Sequence, residues 1–120
     1  MNWLFIMLGG AIGALSRYGV AQLLSGIRLL SMPVGTITVN LLGCFLLGFF
    51  TGFGTAHTHI PRSLILMLTV GFCGAFTTFS TFSAESVNAI QAGNVWQTAV
   101  YLAISVGIGF VLFWWGKSLA

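Results

Sequence analysis

Between Ser63 and Ala84 the chain carries no charged residue, and this uncharged run restricts its fold more than any other feature. At about 1.5 Å per residue, a helix over that stretch crosses the roughly 30 Å hydrocarbon layer of a bilayer. Three further segments read the same way. Only Arg17 interrupts Trp3 to Leu24, and no charge falls within Pro33 to Gly54 or Trp96 to Trp115. The 120 residues include four Lys or Arg and a single acid, so 4% are charged. Soluble domains carry about 25%. The reading is an all-α integral membrane protein with one four-helix transmembrane domain over residues 1–120. Its spans cover about 3–24, 33–54, 62–90 and 96–115.

Several functional classes drop out. Arg17, Arg28, Arg62 and Lys117 are scattered singly, whereas nucleic-acid binding needs a basic cluster or stripe. Cys44 and Cys73 lie inside apolar spans with no Cys-x-x-Cys spacing, so they read as small buried hydrophobes. His57 and His59 flank a threonine in a loop and read as solvated surface. No nucleotide motif or catalytic triad appears, which leaves neither an enzyme nor an ATP-driven pump. The start, Met-Asn-Trp, lacks a basic leader, so Trp3 onward is expected to be a retained helix.

The third span does not suit a plain helix. Gly71, Gly74, Thr77 and Thr78 fall in its middle, and short hydroxyl side chains offer the backbone alternatives to the helical ladder. The run from Arg62 to Ile90 is also longer than one crossing needs. Both facts predict a helix interrupted near Gly74 to Thr78. Broken backbone at membrane depth must be buried in protein or satisfied by water or ions, so the segment is a candidate ion site. Beyond it, Phe79 and Phe82 share a helical face, with Ser80 and Ser83 on a neighbouring line. That pair is either core packing or part of the site. Glu85, the sole acid, lies either near the interface or in an aqueous vestibule.

Other polar residues fall on single faces. Thr36, Asn40, Gly43 and Leu47 recur at helical spacing in span two, and Thr98, Tyr101, Ser105 and Gly109 do so in span four. Asn40 is either an interhelical clamp or a donor lining a polar path, and the span-four hydroxyls have the same two options. Arg17 either snorkels from the helix end or turns toward a polar interior. Gly9 with Gly13, and Gly48 with Gly52, form small-xxx-small faces that admit close helix approach.

Four spans put both termini and the Ala56 to Pro61 loop on one side. Arg62 and Lys117 sit there; the other holds Arg28 and, if it reaches that interface, Arg17. Two against two gives no positive-inside preference. The chain can therefore insert either way, which permits an antiparallel homodimer whose interface uses the glycine faces and the broken segment. Four short helices enclose little room, so a polar path fits better between subunits than within one.

Three blocks carry a resemblance: Gly9 to Tyr18 (GGAIGALSRY), Gly35 to Phe45 (GTITVNLLGCF) and Gly71 to Ser83 (GFCGAFTTFSTFS). Together the chain resembles the CrcB or Fluc family of dual-topology bacterial fluoride channels. The resemblance implies an antiparallel, dual-topology homodimer with two fluoride pores in the bacterial inner membrane, exporting cytoplasmic fluoride passively. It implies that Asn40, Phe79, Phe82, Ser80, Thr36, Tyr101 and Ser105 line the fluoride path. It implies a structural Na⁺ at the dimer centre, held by backbone carbonyls of Gly74 and Thr77, and a vestibule role for Arg17.

The chemistry of those residues agrees with such a path. Fluoride is small and strongly hydrated, so its water must be replaced by donors, which amide and hydroxyl groups provide. Phenyl rings have positive edges, and they touch an anion without the full charge that would trap it. The rival reading is a proton-coupled multidrug exporter of similar size and dual topology. Such exporters need a membrane carboxylate in the first span, and this first span has none.

Overall fold

The computed structural model describes residues 1–120. Helices α1 (Asn2–Leu23), α2 (Val34–Ala56) and α6 (Val95–Leu119) are continuous. The third span is assembled from α3 (Arg62–Leu66), a π-helical stretch (Met67–Cys73), α4 (Gly74–Phe76) and α5 (Phe79–Gln91). All four spans are long and apolar enough to cross a membrane. Only 19 of the 120 residues are buried, while Trp3, Leu15, Phe110 and Trp114 stand exposed. Lipid is the solvent that accommodates such a surface.

The helices associate mainly as two pairs, α1 on the π-helical stretch and α4, and α2 on α6. Glycine makes both contacts close. A Cβ on Gly9 would collide with the Met67 carbonyl oxygen, and one on Gly13 with that of Phe72. Gly71 reciprocates, since a Cβ there would stand 2.7 Å from the Ile6 carbonyl oxygen. In the second pair Gly48 abuts the Phe113 backbone, Gly52 abuts that of Lys117, and Gly116 abuts that of Phe45. These small-residue faces are therefore used inside one chain. The expectation that they form a surface between subunits is corrected, because partner helices of the same chain already fill them.

The interruption of the third span falls at Thr77 and Thr78, both extended (ψ 158° and 118°). The π-helical turn upstream is an additional irregularity that the sequence reading did not anticipate. Thr69 Oγ1 donates to the Ile65 carbonyl at 2.8 Å, and Thr77 Oγ1 donates to that of Cys73 at 2.9 Å. Hydroxyl bonds of this kind load the i−4 carbonyl and bend or loosen the ladder.

The connection between α1 and α2 is not a plain loop. Strands β1 (Arg28–Leu29) and β2 (Met32–Pro33) form a two-residue hairpin around Leu30 and Ser31. Both turn residues have positive φ, 54° and 66°, the left-handed geometry that tight hairpins require. Met32 enters the main apolar cluster with Ile37, Ala89 and Tyr101, and Phe82 packs against it. The hairpin is thereby fastened to α5 and α6 at the end of the molecule opposite the termini.

Candidate functional site

The helix break determines the site, because it interrupts a ladder in a region with no water to replace it. Asn40 answers from the middle of α2. Its Oδ1 accepts from the Thr78 N–H at 2.7 Å, and its Nδ2 donates to the Thr78 carbonyl at 3.1 Å. One carboxamide thus holds both backbone groups of a single extended residue. Thr78 in turn caps α5, its Oγ1 accepting from the Thr81 N–H at 3.2 Å. From α1, half-buried Arg17 donates through Nε to the Ala75 carbonyl at 2.9 Å. Of its two options Arg17 takes the inward one, and a cation at the end of a helix segment also suits the helix dipole.

These bonds divert two amides. In a continuous helix the Thr78 N–H would serve the Gly74 carbonyl and the Thr81 N–H that of Thr77. Here they serve Asn40 and the Thr78 hydroxyl instead. The Gly74 and Thr77 carbonyl oxygens lack their helical donors, and Gly74 is exposed. Hard carbonyl oxygens freed in this way suit a small cation such as Na⁺.

Beside the break lies a groove of about 300 Å³. It brings together Asn40, Phe79, Phe82 and Ser105 with Thr77 and Thr78, and Gly43, Cys44, Leu47 and Val106 complete its wall. Phe79 is 79% exposed, whereas Phe82 lies with its ring centroid 6.2 Å from that of Phe79 and 5.6 Å from Tyr101, stacked on the latter. Phe82 is thus fixed by packing, while Phe79 faces outward with room to turn. Ser105 Oγ is buried with no hydrogen-bond partner, and so is the Tyr101 hydroxyl. Unpaired buried hydroxyls are costly unless an ion or water meets them.

Three of the other expected residues stand apart from the groove. Thr36 is buried earlier on α2, Tyr101 is fully buried behind Phe82, and exposed Ser80 approaches only the Thr78 hydroxyl, at 3.4 Å. On the α6 face, Thr98 Oγ1 is satisfied by the Asn94 carbonyl at 2.7 Å, so that hydroxyl takes the local bonding option. The sequence reading missed Thr78 as the residue that Asn40 grips and Ala75 as the partner of Arg17. The lone carboxamide and the lone cation of two apolar helices were the signals; their partners are backbone atoms, which sequence does not mark. Cys44 and Cys73 are free thiols; Cys73 is buried as expected of a small hydrophobe, whereas Cys44 is only half-buried, on the groove wall.

A family model described as "CrcB-like protein, Camphor Resistance (CrcB)" matches residues 4–117. A Symbiobacterium thermophilum protein named fluoride-specific ion channel FluC 2 is 40% identical over 113 residues, covering 93% of this chain and 91% of the relative. A Dehalococcoides mccartyi fluoride-specific ion channel FluC is 41% identical over 116 residues, covering 97% and 89%. One from Chlorobium phaeobacteroides is 37% identical over 118 residues, covering 98% and 91%.

Proposed function

The chain belongs to the CrcB-like family, and from that premise we infer that it is a fluoride-selective channel. It is a multi-pass protein of the bacterial inner membrane, and cytoplasmic fluoride leaves through it passively, down its electrochemical gradient. The observation that carries this reading is the match of nearly the whole chain to relatives named fluoride-specific channels. The function is conduction, not catalysis. The multidrug exporter gains no support, since α1 holds no carboxylate and Glu85 lies on α5.

The fluoride path runs along Asn40, Phe79, Phe82 and Ser105, with Thr36, Ser80 and Tyr101 contributing hydroxyls beyond the groove. Donors replace hydration and ring edges supply weak positive potential, so the ion is held at several sites without being trapped. The functional unit is an antiparallel, dual-topology homodimer. Exposed Phe79 and the freed carbonyls of Gly74 and Thr77 support it, because lipid alone would leave that backbone unsatisfied. Those carbonyls, from both copies, would hold a structural Na⁺, which when bound supplies a fixed positive field near the anion path.

The test is efflux from liposomes containing the purified protein, read with a fluoride electrode, with valinomycin carrying K⁺ as the compensating charge. Rapid fluoride loss that needs the ionophore, with chloride retained, is the expected outcome. Correctly folded protein that releases no more fluoride than empty vesicles rejects the reading.

A further inference from the structure

A second, more polar pocket of about 240 Å³ opens at the end of the molecule opposite the termini, between the hairpin and the α5–α6 connection. Arg28, Ser31, Glu85, Asn88 and Asn94 supply its polar wall, and Met32 lies at its base. Three features set it apart from ordinary loop surface. The hairpin that carries Arg28 turns through two non-glycine residues of positive φ, a conformation that persists only when its surroundings impose it. The guanidinium is held at that turn, Nη2 donating to the Ser31 carbonyl at 2.7 Å. The pocket floor belongs to the cluster against which Phe82 packs.

The pocket lies farther along α5 than the groove. Phe79 and Phe82 line the groove and Glu85 and Asn88 line the pocket, each three residues beyond the last on α5. At about 1.5 Å of rise per residue, Glu85 stands ~9 Å past Phe79 and Asn88 ~14 Å past it. Glu85 Oε1 is buried without a hydrogen-bond partner. Glu85 is the chain's only carboxylate, and Arg28 is the cation on the same pocket wall.

Building on the channel reading, we propose that this pocket is the anion-capture chamber at one mouth of the path and that Arg28 sets the rate at which small anions are admitted. With Arg28 in place the pocket is formally neutral and its outer rim is positive. With a neutral residue there, Glu85 supplies the pocket's only formal charge, and it repels fluoride. The effect acts before the anion meets the selective groove. It concerns capture, not discrimination, and salt screens it.

The experiment compares wild type, Arg28→Gln, Arg28→Lys and the double variant Arg28→Gln/Asn94→Lys in fluoride efflux from liposomes at sub-saturating fluoride. Potassium isethionate sets the ionic strength on both sides. The Asn94 side chain makes no helix-capping bond, so moving a cation there removes none. Screening reaches about 30 Å at 0.01 M salt and about 3 Å at 1 M. Arg28→Gln is expected to slow efflux about 3- to 10-fold at the low salt and to approach wild type at the high salt, as steering does. Arg28→Lys and the double variant are expected to regain most of the low-salt rate.

Wild-type rates from Arg28→Gln at low salt overturn the proposal. So does an equal loss at both salts, or a loss that neither relocated nor conserved charge repairs, since either means the hairpin itself was damaged. Selectivity over chloride stays unchanged if capture alone is affected. A wild-type protein that passes no fluoride at either salt rejects the channel reading instead, and the capture role with it.

Discussion

Replacing Asn40 separates its two duties, gripping Thr78 and facing an anion. Asn40→Ala removes both bonds to Thr78, of 2.7 and 3.1 Å. Interhelical hydrogen bonds in membrane proteins average about 0.6 kcal/mol and reach about 1.7, so the pair contributes about 1–3 kcal/mol. Asn40→Asp keeps an acceptor for the Thr78 N–H, now charge-assisted, but turns the donor to the Thr78 carbonyl into an oxygen that repels it and places a charge at membrane depth. It therefore destabilises at least as much as alanine. For conduction the two differ more sharply. A carboxylate about 5 Å from fluoride, at an effective dielectric constant near 20, repels it by about 3 kcal/mol, which slows passage on the order of 100-fold. Alanine removes a donor without adding repulsion and leaves some flux. Thermal unfolding of the purified protein in detergent, read by monodispersity, and liposome efflux at neutral pH measure the two quantities. Aspartate that conducts as well as alanine, or better, refutes the placement of Asn40 beside the ion and leaves it a clamp only.

The remaining predictions use the same two readouts. Phe79→Ile is expected to cut fluoride flux at least 10-fold while the fold of the single chain, in which the ring is 79% exposed, is retained; Phe82→Ile should cut flux similarly and also lose its stacking on Tyr101 at 5.6 Å, about 0.5–1.5 kcal/mol. Unchanged flux in both variants would remove the rings from the path. Gly13→Leu is expected to prevent α1 from packing on the Phe72 backbone and to abolish monodisperse protein, whereas Gly107→Ala, with nothing within 4 Å of its added Cβ, should be neutral or gain up to about 1 kcal/mol in helix propensity. Exhaustive replacement of Na⁺ by N-methylglucamine should lower both flux and thermal stability, with restoration on adding Na⁺ back. Sodium-free protein that keeps both would dismiss the cation at the Gly74 and Thr77 carbonyls.

How far the fold was legible follows from which groups carried the signal. The spans were readable because a chain with one acid and four bases has few places to put charge except at membrane edges. The interruption was readable because Gly74, Thr77 and Thr78 weaken a helix by their own chemistry. The π-helical stretch was not, since Met67 to Cys73 holds ordinary apolar residues around Thr69 and Gly71. Its close fit to α1, through Gly9, Gly13 and Gly71, is a tertiary fact. The same limit explains the misplaced glycine faces. Small-residue spacing announces that something approaches closely but carries no label saying whether that partner is the same chain or another copy.

At the site, the sequence distinguished the residues that act and left their partners open. Asn40 and Arg17 stood out because each is costly in hydrocarbon unless satisfied, yet both are satisfied by backbone atoms of the broken span. The consequence joins stability to conduction. Arg17 on α1 and Asn40 on α2 hold the break from different directions; Asn40 takes the Thr78 amide and the Thr78 hydroxyl takes that of Thr81, which frees the Gly74 and Thr77 carbonyls. The groove is therefore a product of tertiary capping and not of a weak helix alone. Strengthening the intrinsic helix propensity of residues 74–78 should close it only if it also outcompetes Asn40 for Thr78.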